Sequence, residues 1–140
     1  PEIYPALYSA HNRSYQVAEP YSETNKYGEW ACLSHIAPTN PNGPLKGKTF
    51  GIKDNINVAG IPCQNGSEIF SNFIPSTDAS IVTRILEAGG TIIGKTQCEK
   101  LCYSGGSHTS YPAPVRNPHN TLHHAGGSSS GSGAAVAAGS

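Results

Sequence analysis

The sequence predicts an α/β fold, and three observations carry that expectation. Across residues 45–60, Phe50, Ile52, Ile56 and Val58 share one parity while Gly51, Lys53, Asn55 and Asn57 share the other, which is the alternation of a half-buried strand. Residues 76–90 then place Ile81, Val82, Ile85 and Leu86 on one helical stripe closed by Gly89 and Gly90. The run "TIIGKT" that follows reads as a buried strand. Strand, helix, strand implies an α/β core with a crossover connection.

The elements follow in order along the chain. Residues 1–44 read as a polar arm with tyrosines at 4, 8, 15, 21 and 27, ending in the breaker-rich "PTNPNGP". Its helical content is expected to be short and irregular. The strand after it should end near Lys53, because Asp54 falls on the apolar parity as a misfit. Asp78 or Thr77 is the expected cap of the helix. "CEKLCYS" adds a helical turn, and residues 105–124 are loop, punctuated by Pro112, Pro114 and Pro118. No internal repeat is visible. The run "GGSSSGSG" has a linker's composition, yet it leads into Ala134, Ala135, Val136, Ala137 and Ala138, a small-residue helix suited to tight packing. Glycines crowded around serines before a helix let backbone amides approach an anion or oxyanion. A phosphate loop would need the Gly-Lys-[Ser/Thr] ending that is missing here.

Composition limits the function classes. At 140 residues the chain is one domain's worth, long enough to bury a core. Nine basic and nine acidic residues cancel, and no basic stripe with interleaved aromatics forms, so a nucleic-acid groove is not expected. Sixteen glycines and eleven prolines signal many turns, short of a disordered composition. No apolar run approaches a membrane span and no signal-peptide layout opens the chain, which makes the cytoplasm the default. Cys32, Cys63, Cys98 and Cys102 then read as reduced thiols. Proline at position 1, the absence of methionine, and "AAVAAGS" stopping inside a helical pattern suggest a fragment of a longer product.

Few side chains carry chemistry on their own pattern. Lys53 sits among uncharged polar and apolar neighbours, where loss of solvation favours the neutral amine of a usable base. A lysine on a strand is otherwise solvated charge. Cys98 and Cys102, at i and i+4, could supply half a zinc site with His108 or His119, but zinc-knuckle spacing is missing and core thiols are the better account. His123 and His124 diverge on any extended backbone, which argues against a shared metal or a serine-histidine dyad. Arg116 could bind a carboxylate or anchor its own loop.

"GIKDNINVAGIPCQNGSEIF", "DASIVTRILEAGGTIIGKTQ", "SYPAPVRNP" and "GGSSSGSGAAVAAG", in this order, resemble the N-terminal portion of an amidase signature enzyme over about residues 45–140. The resemblance implies a mixed β-sheet core wrapped by helices, present here as its N-terminal part, with residues 1–44 as an arm before it. It also implies a Ser–cis-Ser–Lys triad that hydrolyses carboxylic amides to acid and ammonia. Lys53 matches the family's lysine and Ser128 its cis-serine, reached through a cis Gly127–Ser128 peptide. Gly126, Gly127 and Ser129 match the structural residues around it. In that scheme neutral Lys53 takes a proton from Ser128, which deprotonates the nucleophilic serine, and an acyl-enzyme forms for water to release.

The resemblance places the nucleophile in a second glycine-serine motif roughly two dozen residues past Ser128, with the oxyanion-hole amides beside it. Both fall outside this sequence, so the chain alone is expected to be inactive; oxyanion stabilisation alone is worth ~3–4 kcal/mol in acyl transfer. Cys102 and Ser104 fall in the segment resembling the family's substrate-facing loop. No metal and no cofactor is expected. The implied partners are a small-molecule amide and the remainder of the amidase chain or a companion chain, with a homodimer left open. "SYPAPVRNP" resembles most the branch acting on small aliphatic or aromatic amides, while other members deamidate glutaminyl groups on transfer RNA, cleave urea derivatives or trim fatty amides. A non-catalytic piece that needs a partner to complete its fold is the competing class.

Overall fold

The computed structural model describes residues 13–140. Its strands are β1 (Tyr15–Val17), β2 (Trp30–Ile36), β3 (Thr49–Lys53) and β4 (Thr91–Thr96), and its helices are α1 (Ser80–Glu87) and α2 (Ser130–Ala138). Two single 3-10 turns, Glu68–Phe70 and Lys100–Cys102, interrupt the loops. The strands form one mixed sheet in the order β1-β2-β4-β3. β3 and β4 are parallel and joined through α1, the crossover that the sequence pattern requires. β1 pairs with β2 and β2 with β4, both antiparallel.

The strand ending at Lys53, the helix and the "TIIGKT" strand fall where the pattern put them. The arm does not. Where short irregular helix was expected, the described residues before 45 hold β1 and β2, because Tyr15↔Ser34 and Cys32↔Lys95 pair across distances that local periodicity does not report. The cap of α1 also differs. Ala79 is the N-cap and makes no side-chain cap bond. Asp78 instead accepts from the Ala59 backbone N–H at 2.8 Å and pairs with Arg13 at 2.6 Å, fastening the arm to the core. At the other end of α1, the "PTNPNGP" segment and the residue after it supply donors to the free carbonyls: Thr39 N–H reaches Leu86 O and Leu45 N–H reaches Ala88 O.

Apolar side chains divide between the two faces of the sheet. Val82 and Leu86 of α1 pack on Cys32, Ile36, Ile52, Val58, Ile61 and Ile92. Each buried aliphatic side chain of that cluster contributes about 1.5–3 kcal/mol. Ala135 of α2 packs on Ala18 and Trp30 across the opposite face, with Leu33 and Ile93 alongside. Ile81 of the expected stripe is 51% exposed, so the helix buries a narrower face than its sequence offers.

A bulge in β4 decides which residues share a face. Phe50 pairs with Ile92 but Gly51 pairs with Gly94, so Ile93 is skipped. Ile93 therefore turns to the α2 face, while Lys95, two residues on, reaches the α1 face and the Asp54 carboxylate. Gly94 leaves room for this, since a side chain there would strike the Cys32 carbonyl.

Candidate active site

Lys53 is the last residue of β3 and pairs in register with Thr96 at the end of β4. Its parity is that of Gly51, so it points to the α2 face while Ile52 packs on the α1 face. There its Nζ donates to Ser128 Oγ at 2.7 Å across 75 residues of sequence.

Loop anchors bring Ser128 to that position. Buried Ser107 donates from its hydroxyl to Val115 O and accepts from Ala125 N–H, closing the loop of residues 105–124 and returning the chain to the glycine-serine block. Gly126 adopts φ +78°, a region open to glycine, and the Gly127–Ser128 peptide is cis. A side chain at 127 would strike the Gly106 carbonyl and come within 2.9 Å of Glu99 Cγ. The Ser128 carbonyl accepts from Glu99 N–H at 3.1 Å, and Gly131 N–H donates to Gln97 O at 2.9 Å. Ser132 of α2 shares a hydroxyl hydrogen bond of 2.7 Å with Thr96. The end of β4 and the start of α2 are therefore stitched together on either side of the Lys53–Ser128 contact.

The other residues singled out from sequence divide. Ser129 is exposed at the N-cap of α2 and makes no side-chain cap bond. Ser104 accepts from Gly106 N–H at 3.1 Å and lines an open cavity of about 280 Å³ with Lys100, Leu101, Tyr103 and Thr109. Cys102 turns away from that cavity, and its thiol donates to Asn65 Oδ1 at 3.2 Å. Arg116 stacks on the Tyr21 ring at 3.8 Å, and its N–H donates to Tyr27 O, the contacts of a loop anchor. His124 Nδ1 accepts from Gly126 N–H. Among the described residues no group of three or more His, Cys, Asp or Glu side chains is arranged to hold a metal ion.

Sequence reasoning missed Glu99 and the pairing of Asp54 with Lys95. Glu99 is fully buried, and its carboxylate accepts from the Thr109 hydroxyl at 2.5 Å, Thr109 N–H at 3.3 Å and the Ser110 hydroxyl at 3.0 Å. A lone glutamate before a lysine gives no signal of this. Lys95 Nζ lies 3.2 Å from Asp54 Oδ1, with both side chains 1% exposed. Burial pushes the Asp54 carboxyl above its ordinary range, while the Lys95 ammonium and the Gln64 backbone N–H pull it back. Burial also pushes the Cys32 thiol up to about 11 and raises those of Cys63 and Cys98. The signal that could have found the ion pair is the misfit of Asp54 on the apolar parity.

A family model described as Amidase matches residues 10–140, reaching back through the arm that the sequence motifs left out. An enantioselective amidase of Rhodococcus rhodochrous is 49% identical over 122 residues, 86% of this chain and 23% of that protein. A glutamyl-tRNA(Gln) amidotransferase subunit of Exiguobacterium sibiricum is 47% identical over 107 residues, 76% of this chain and 22% of that protein. The solved structure of the corresponding subunit from Thermotoga maritima superimposes with a TM-score of 0.67 at 36% identity, covering 74% of this chain and 22% of that one. This chain thus spans less than a quarter of the length of these relatives. Its mixed sheet with flanking helices is the fold seen in that solved structure.

Proposed function

The chain belongs to the amidase family, and from that premise we propose that it supplies the base and the proton relay of an enzyme that hydrolyses carboxylic amides. The observation that supports this reading is the 2.7 Å contact between Lys53 Nζ and Ser128 Oγ. In its neutral form the Lys53 amine accepts the Ser128 proton, and the Ser128 oxygen accepts the proton of an attacking serine. The attacking oxygen bonds to the amide carbonyl carbon, the C–N bond breaks, the nitrogen leaves with a proton as ammonia, and water releases the acid. The attacking serine and the oxyanion donors belong, in this reading, to the rest of the protein or to a companion chain, so the 140 residues alone do not turn over.

The substrate class is a small carboxylic amide, on the strength of the 49% identity to an enantioselective amidase. Ser104 and the cavity beside it belong to the substrate side of the site. The relatives named as part of an amidotransferase favour a second reading, in which a companion chain completes the working assembly. No helix among the described residues is long and apolar enough to cross a membrane, and four free cysteines suit a reducing cytoplasm.

The test is release of ammonia from a panel of aliphatic and aromatic carboxamides by the complete protein, with a fluorophosphonate probe as serine label. Ammonia release that disappears in Ser128→Ala, with no label taken up by residues 1–140 alone, is expected. A complete protein that hydrolyses none of the amides, or label on the isolated chain, would overturn the reading.

A further inference from the structure

A buried ion pair is weak evidence for stability, because desolvating both charges offsets their attraction and an apolar pair of similar volume is often as stable or more so. Lys95 and Asp54 are nonetheless both 1% exposed, on the face of the sheet that carries Ile52 and Cys32, under the Pro62–Gln64 segment. Their position in the chain gives them another use. Asp54 directly follows Lys53, and every polar group it has is held. Its N–H donates to Thr96 O at 2.9 Å, and its carbonyl accepts from Asn65 N–H at 3.0 Å and from the Cys63 thiol at 3.2 Å. Its carboxylate accepts from Lys95 Nζ at 3.2 Å and from Gln64 N–H at 3.1 Å. Lys95 is fixed in turn by Pro62 O at 3.3 Å, and its neighbour Thr96 holds both the Asp54 N–H and the Ser132 hydroxyl of α2.

Resting on the amidase reading above, we propose that the Asp54–Lys95 pair is a positioning device for Lys53. It clamps the strand end from the α1 face, so that the lysine on the α2 face keeps its reach to Ser128. Side chains at successive strand positions point to opposite faces, so a twist of the backbone at Asp54 swings the Lys53 amine sideways. The clamp also ties both partners of the contact to one dipeptide, Lys95-Thr96, at the end of β4. Displacements of about 1 Å away from the reacting atoms are enough to lower turnover by about 100-fold.

The experiment uses the complete enzyme with Asp54→Leu/Lys95→Met, which replaces the pair with apolar groups of similar volume, and with Asp54→Asn, which keeps an amide in the carboxylate's place. Turnover is expressed per folded enzyme, with the folded fraction taken from the thermal melt. We expect kcat to fall about 100-fold in the double variant and at least about tenfold in Asp54→Asn, with KM within about threefold of the parent. A structural role would lower the melting temperature and leave kcat per folded enzyme unchanged. Either variant folding and turning over within threefold of the parent overturns the proposal. Lys53→Ala, run alongside, separates the two ideas: full activity there sinks the amidase reading itself, whereas loss there with normal turnover in the pair variants sinks only the clamp.

Discussion

Removing Lys95 while keeping Asp54 leaves a carboxylate 1% exposed with no cation against it and only backbone N–H groups, those of Gln64 and Gly66, on its oxygens. Breaking a buried pair in this way costs about 3–5 kcal/mol, because the remaining charge stays desolvated. Lys95→Met should therefore lower the unfolding free energy of the complete protein by that amount at pH 7, measured by urea denaturation. The penalty should also depend on pH in one direction. Burial already raises the Asp54 carboxyl above its ordinary value of 3.8, and the variant removes the Lys95 attraction that opposes the rise. Between the unfolded and the higher folded value the native state holds a proton that the unfolded chain has lost, so stability falls as pH climbs through that window and stays low above it. The deficit of Lys95→Met is thus largest at neutral pH and shrinks on acidification, as Asp54 takes up its proton in the folded variant before the unfolded chain does. Asp54→Leu/Lys95→Met, with no buried charge, should recover most of the loss. A single variant within about 1 kcal/mol of the parent at pH 7, or a deficit that does not change with pH, would refute this account of the pair.

Other perturbations follow from the same contacts. Gly127→Ala drives a methyl group into the Gly106 carbonyl and should lower kcat at least about tenfold, read in the amide assay; unchanged kcat would show that Ser128 is not held by this packing. Cys98→Ala removes a fully buried thiol that has no role in the proposed proton transfers, so turnover should stay within about twofold while stability drops by about 1 kcal/mol on urea unfolding. Among the four cysteines, a disulfide reagent at pH 8 should modify Cys102 first in the native protein, since Cys32, Cys63 and Cys98 are buried and burial raises their thiols, that of Cys32 to about 11. Equal labelling of all four, read by peptide mass spectrometry, would contradict that burial.

What the sequence disclosed was local. β3, α1 and β4 announce themselves because alternation, a helical stripe and a glycine stop lie within single short windows. β2 does not, since its "WACLSHI" has no clean alternation and its burial depends on β1 and β4 covering it from both sides. Asp78 sits where a cap belongs, but its carboxylate is drawn to Arg13 and the Ala59 N–H, partners that no window around α1 contains. Nothing in "TIIGKT" marks Lys95, because a bulge at Gly94, invisible in composition, turns it to the buried face. The meeting of Lys53 with Ser128 was expected from the motifs shared with a known family, since neither residue's own surroundings name the other across 75 positions.

Amide hydrolysis as proposed depends most on the amine of Lys53 acting on the hydroxyl of Ser128, and kcat of Lys53→Ala in the complete protein against a simple carboxamide measures that dependence directly. A folded variant with kcat reduced at least about 100-fold is predicted, the scale on which a positioned general base acts. A folded variant turning over at close to the parent rate would contradict it.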